Sequence, residues 1–248
     1  MSCLINKNNM PPLIETRNIC KEYRDGQTVT PVLDNISLQI RKGEFVAIMG
    51  PSGSGKSTLL HILGFLDAYS SGDYLFEGKE TSSYTEEESA KVRNRKIGFV
   101  FQAFNLLARA SVLDNVKLPL LYSEIDEKEW DERARKSLES VGLSHRINHE
   151  PNELSGGEKQ RAAIARALVA NPEVIFADEP TGNLDSKSGQ MVMETLEQVH
   201  QKEGRTIILI THETETAEHA ERIINIRDGK IEKDEKIATR RLAKTFIK

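Results

Sequence analysis

The stretch from Phe45 to Leu63 constrains this chain more than any other. Phe45 to Met49 is a continuous apolar run, and Gly50-Pro51-Ser52-Gly53-Ser54-Gly55-Lys56-Ser57-Thr58 follows it in the pattern G-x-x-x-x-G-K-[ST]. Lys56 to Leu63 then carries apolar residues at helical spacing. A buried strand feeding a glycine loop into a helix predicts an α/β fold around a mostly parallel sheet. Glycines let the backbone turn so that successive N–H groups face inward, and the helix adds its positive end, which together suit a polyphosphate. On this reading Gly50, Ser52, Gly53, Ser54, Gly55, Lys56, Ser57 and Thr58 bind phosphate, Lys56 neutralises the outer oxygens, and the Ser57 hydroxyl is a ligand for Mg²⁺. Three glycines with no evident packing return favour binding over an ordinary turn.

Two further patterns carry chemistry. Val174-Ile175-Phe176-Ala177-Asp178-Glu179 places two carboxylates where an apolar strand ends, the edge at which open α/β sheets bind ligands. Asp178 falls nearer the metal, and Glu179 is placed to polarise an attacking water as general base. Leu154-Ser155-Gly156-Gly157-Glu158 contains a capping box, Ser155 at N-cap and Glu158 three residues on. Gly156 and Gly157 in a first helical turn cost about 1 kcal/mol each relative to alanine, so bare backbone is expected to serve an anion there. A charged, helical stretch separates that anion site from the loop at Lys56, so a second subunit is the expected source of its phosphate.

Along the chain, Leu13 to Cys20, Val29 to Leu33 and Ile36 to Ile40 read as an antiparallel opening. Glu77 to Lys96 and Glu124 to Lys136, rich in both signs of charge, read as solvated helices bracketing a strand, Ile97 to Phe101. Ser155 to Ala170 is strongly helical, and the strands Val174 to Ala177 and Thr206 to Ile210 flank a helix from Lys187 to Lys202, a parallel crossover. The expected division is one domain: a core with its antiparallel β subdomain over about 13–86 and 160–235, an α-helical subdomain over about 87–159, and a tail over 236–248 that is a terminal helix or a solvated tail.

Composition excludes several classes. In 248 residues there are 34 Lys and Arg against 38 Asp and Glu, a net charge of −4 that lacks the basic excess of a nucleic-acid binder. The longest apolar stretch, Leu59 to Leu66, is interrupted by His61 and is far shorter than the roughly 18 residues a membrane span needs. Met1 to Asn9 has no apolar signal-peptide core, so a cytoplasmic address is expected. The two cysteines, Cys3 and Cys20, read as incidental, Cys20 as a small core residue.

Taken together, the phosphate loop, Leu154 to Gln160 as a signature sequence, Asp178-Glu179, Asn183-Leu184-Asp185 and Thr211-His212 resemble the nucleotide-binding subunits of ATP-binding-cassette transporters over about Leu13 to Lys233. The resemblance implies a P-loop NTPase core, ATP with Mg²⁺, and two subunits meeting head to tail so that each ATP lies between one phosphate loop and the other copy's Ser155, Gly156 and Gly157. It further implies that Tyr23 stacks on adenine, that Gln102 touches Mg²⁺ and the attacking water, that His212 bonds the γ-phosphate and holds Glu179, and that Asp185 crosses the dimer interface. Membrane permease subunits are the implied partners, with the chain peripheral on the inner face of the membrane.

Within the family, Ile97 to Gln102, Phe104 to Leu107 and Asp178 to Asp185 resemble the lipoprotein-releasing, macrolide-exporting and antimicrobial-peptide-exporting subfamily, and also the cell-division ATPase. Ala103 and Glu158-Lys159 depart from the common glutamines and leave the substrate open. A mechanotransmitting partner that carries nothing is the alternative. A DNA-repair or translation ATPase would need a long coiled coil or two cassettes, and a small-molecule kinase has no use for Ser155 to Glu158.

Overall fold

The computed structural model describes residues 11–238 and 240–241. Met1 to Asn9, Cys3 and Lys244 lie outside the described residues. Two sheets organise the chain. Strands β1 (Ile14–Asp25), β2 (Thr28–Ile40), β4 (Ser71–Phe76) and β5 (Lys79–Glu80) form an antiparallel sheet in the order β2-β1-β4-β5. Pro31 is tolerated in β2 because that strand is an edge. The second sheet has the order β10-β9-β3-β8-β7-β6, from β3 (Phe45–Met49), β6 (Ile97–Val100), β7 (Val174–Asp178), β8 (Thr206–Thr211), β9 (Arg222–Arg227) and β10 (Lys230–Lys236). Five of its strands are parallel, and only β10 runs antiparallel, on β9.

Alternation along the central strands assigns each face its core. Phe45, Ala47, Ile175, Ala177, Ile207 and Leu209 face a helical layer of α3 (Val112–Lys117), α4 (Glu127–Ser140), α5 (Gly156–Leu168) and α6 (Ser186–Glu203). Val46, Ile48, Phe176, Ile208 and Ile210 face α1 (Lys56–Leu63) and the antiparallel sheet, including Ile14, Ile36, Leu59 and Tyr74. Both faces of the parallel sheet are therefore covered, which is why its strands are apolar without a polar side. Among the described residues no helix is long and apolar enough to cross a membrane.

Several expectations change. The span from Glu77 is not one helix: β5 and a turn occupy its start, and α2 (Glu86–Lys96) begins only where Thr85 forms a capping box with Glu88. Cys20 is partly exposed rather than a core residue, with the Asn35 N–H 3.4 Å from its sulfur. The hairpin β9–β10 and the strand β4 are additions. The start of the 236–248 segment is neither helix nor solvated tail: Lys236 ends β10, Arg240 pairs with Glu221, and Arg241 pairs with Glu215 and Glu218. Those three glutamates lie on and after the single-turn α7 (Thr214–Ala217).

Candidate nucleotide site

Three strands of the parallel sheet, β3, β7 and β8, end side by side and each delivers chemistry at its carboxyl end: the glycine loop, Asp178-Glu179, and His212. A cleft of about 570 Å³ lies there, lined by Val32, Ser52, Gly53, Gly55, Lys56, Ser57, Thr58, Glu179 and His212 among others. The loop is closely packed at two of its glycines, which corrects the expectation that they bring no packing return. A Cβ on Gly50 would stand 2.0 Å from the Ile226 carbonyl oxygen, and one on Gly55 2.7 Å from Leu33 and 2.8 Å from the Val32 carbonyl oxygen. Gly53, at φ +78°, has open space instead, so only its backbone conformation calls for glycine.

Lys56 is almost fully buried and its ammonium donates to the carbonyl oxygens of Gly50 and Pro51, both at 2.8 Å. Burial holds its pKa below the ordinary lysine value, while Glu179 and Asp178 pull it back up. The Ser54 hydroxyl is buried in the loop with no hydrogen-bond partner among the described residues. Neither Ser54 nor Gly50 lines the cleft; the buried Lys56 cation does, and a cation there fits an anion with several acceptor oxygens. Behind the loop, the Asp228-Gly229 turn of β9–β10 braces it: the Gly229 N–H donates to the Ser54 carbonyl oxygen at 3.1 Å. The sequence reading missed this brace, although an Asp-Gly pair between alternating apolar residues is a strong hairpin signal.

Glu179 leaves β7 at φ +44°, an uncommon conformation for glutamate, and its carboxylate accepts a 2.8 Å hydrogen bond from His212 Nδ1. Asp178 is half-buried beside it. Burial first, and then Glu179, push the Asp178 carboxyl above its ordinary range, with His61 and Lys56 acting the other way. A hydroxyl at Ser57 and a carboxylate whose ionisation a cation would favour are hard oxygen donors that suit Mg²⁺. Among the described residues no group of three His, Cys, Asp or Glu side chains could hold a metal ion, so such a cation would need phosphate oxygens as further ligands.

The other predicted residues are placed apart from this cleft. Gln102 follows β6 with its side-chain amide packed toward Gly182, in the turn after Glu179. Its loop is held by neighbours: Asn183 donates to the Gln102 carbonyl oxygen at 3.1 Å, Gln160 to that of Phe101 at 3.2 Å, and Arg166 to those of Phe104 and Asn105 at 2.8 and 2.5 Å. Tyr23 is half-exposed on β1, and its hydroxyl donates to Asp67 at 2.8 Å.

Ser155, Gly156, Gly157 and Asp185 do not line the cleft. Ser155 is an exposed N-cap: its Oγ accepts from the Glu158 N–H, and the Glu158 carboxylate accepts from the Ser155 N–H at 2.9 Å. That backbone bond is the first of several, including Arg146, that hold Glu158 near a pKa of about 2. The two glycines also have a packing reason that the anion argument overlooked. A Cβ on Gly157 would be 2.9 Å from Ser188, and one on Gly156 3.0 Å from Leu184, so bare backbone lets α5 approach α6. Asp185 caps α6 through the Ser188 N–H.

Residues 33–182 match the family model described as ABC transporter. This chain belongs to the ABC transporter family. It is 52% identical over 230 residues to the macrolide export ATP-binding/permease protein MacB of Chlorobaculum tepidum, covering 93% of this chain and 35% of that protein. It is 52% identical over 219 residues to the uncharacterized ABC transporter ATP-binding protein YknY of Bacillus subtilis, covering 88% of this chain and 95% of that one. This chain thus spans about a third of the MacB relatives and nearly all of the separate ATP-binding protein. Among solved structures it resembles the dimeric ATP-binding cassette MJ0796, at 43% identity and TM-score 0.83 over 91% of this chain and 99% of that one. MJ0796 is a protein of Methanocaldococcus jannaschii, also described as a post-hydrolysis dimer bound to ADP and Pi, with TM-score 0.82. The chain is therefore an ATP-binding cassette of this family, an α/β fold with an antiparallel β sheet.

Proposed function

We propose that this subunit closes as a homodimer on two ATP molecules and, by hydrolysing them, drives a membrane permease in the export or release of a macrolide-like drug, lipoprotein or peptide. One observation carries the shared site: Lys56, Glu179 and His212 line one cleft, whereas the capping-box helix start at Ser155 lies exposed outside it. A second copy supplies Ser155, Gly156, Gly157 and Asp185 to the far side of the nucleotide, as a two-fold interface requires. The dimeric cassettes among its structural relatives support this.

Within each cleft, the loop N–H groups and Lys56 hold the β- and γ-phosphates and keep their charge compensated where water is excluded. Ser57 and Asp178 would hold Mg²⁺, which when bound screens phosphate charge, whereas the Gln102 amide, packed toward Gly182, stands apart from them. Glu179 takes the proton of the attacking water. A carboxylate only accepts, so His212 Nδ1–H donates to it, fixing the carboxylate while the rest of the imidazole faces the γ-phosphate.

The MacB relatives are named ATP-binding/permease proteins, which supports a permease partner. We place its contact in the groove of about 560 Å³ beside the Gln102 loop, where Leu66 and Tyr122 are exposed and Phe99 and Phe101 form the floor. The 87–159 helical segment is the part we assign to carry that contact, against the core of 13–86 and 160–235, at the inner face of the membrane. Ser155→Arg tests the shared site. The variant chain should still bind ATP in titration calorimetry yet lose hydrolysis, and unchanged turnover would refute the arrangement.

A further inference from the structure

Tyr23 is not free to choose its orientation. Lys21 and Tyr23 lie two apart on β1 and so share one face of the strand. The Tyr23 hydroxyl donates to Asp67 Oδ2 at 2.8 Å, and the Lys21 ammonium donates to Asp67 Oδ1 at 2.8 Å and to the Ala68 carbonyl oxygen at 2.6 Å. The same ammonium stands 4.6 Å from the centre of the Tyr23 ring. Asp67 is itself anchored, its N–H donating to the His61 carbonyl oxygen of α1 at 3.2 Å. Burial pushes the Asp67 carboxyl up, but the hydrogen bonds from Lys21 and Tyr23 outweigh it and hold it below the ordinary range. The carboxylate is therefore ionised and a good acceptor at neutral pH.

We infer that Asp67, held by Lys21, is a positioning residue for the nucleotide base: it fixes the Tyr23 ring to the end of the same helix whose start carries Lys56 and Ser57. The inference rests on the reading of Tyr23 as the surface on which the base stacks. Its physical content is pre-organisation. A half-exposed tyrosine near the end of a hairpin, where only β2 pairs with its strand, samples several rotamers when nothing holds its ring, and holding one lowers the entropy lost when the base arrives. One helix then sets the distance between the phosphate end and the base end of the site.

The test compares ATP with inorganic tripolyphosphate, which has the phosphates and no base, by titration calorimetry on the full chain. Y23A should weaken ATP about tenfold, the scale of one lost base–aromatic stack. D67A and Y23F should each weaken ATP about threefold, and the double variant Y23F/D67A no further, since both remove the same Tyr23–Asp67 hydrogen bond. D67N, which keeps an acceptor oxygen, should recover most of the loss. Tripolyphosphate should bind all of them as it binds the parent chain. If Y23A weakens ATP while D67A and Y23F do not, the positioning role is overturned and the stacking role stands. If Y23A binds ATP like the parent chain, the stacking reading itself fails. Equal losses for ATP and tripolyphosphate would mean that Asp67 merely supports the fold, which also overturns the inference.

Discussion

Glu179 shows how a single residue is prepared by the strand that precedes it. β7 is buried along Val174 to Ala177, and the chain turns sharply at φ +44° so that the glutamate emerges at the sheet edge facing Lys56 and His212. If Glu179 is the base, Glu179→Gln keeps the shape and the acceptor oxygen but removes the proton sink. Steady-state phosphate release should fall by roughly 10²- to 10⁴-fold while ATP binding persists, and full activity would remove it from that role. Lys56, Ser57, Asp178 and Glu179 could be singled out in the sequence because each terminates or opens an element whose apolar pattern is plain, whereas His212 entered only through the family resemblance. The packing around Gly50, Gly55, Gly156 and Gly157 could not, since it depends on Ile226, Leu33, Ser188 and Leu184, remote or in another element. Asp67 was likewise hidden: nothing in a single aspartate announces that Lys21 and Tyr23 will reach it.

At the level of elements, α5 depends on the start that presents Ser155. Its capping box is complete, and the Glu158 carboxyl sits at about 2 against an ordinary 4.5, held first by the Ser155 N–H and further by Arg146 at 2.9 Å. A depressed carboxyl contributes stability above its unfolded pKa and loses it as pH falls through the folded one. Glu158→Gln keeps an acceptor for the Ser155 N–H while removing the charge that also serves Arg146, so it should cost about 1 kcal/mol at pH 7, the difference between charge-assisted and neutral hydrogen bonds. The difference should shrink as pH falls from about 4.5 toward 2; urea midpoints across that range measure it, and a gap independent of pH would contradict the assignment. The long helices α5 and α6 and the central strands were legible from periodicity. The hairpin β9–β10 was missed despite its Asp228-Gly229 turn signal, because β10 is a charged, exposed edge strand with no apolar alternation of its own. The start of α2 was misplaced because charge density ran on past the real signal, Thr85 with Glu88.

On the scale of the whole molecule, the parallel sheet gathers one cleft while the helix starts at Ser155 and Asp185 are exposed elsewhere, and in the proposed dimer these supply the two halves of each site. The C-terminal segment adds a second constraint, since Arg240 and Arg241 tie it by ion pairs to Glu215, Glu218 and Glu221, just after His212. Those pairs bring together residues from two stretches of chain and leave no local pattern in the sequence. The central claim is that ATP itself joins two copies. Sedimentation velocity of the Glu179→Gln chain, run with and without ATP and Mg²⁺ while absorbance tracks bound nucleotide, tests it most directly. The account predicts monomer without nucleotide and a dimer carrying two ATP molecules with it; a chain that binds ATP and still sediments as a monomer would contradict it.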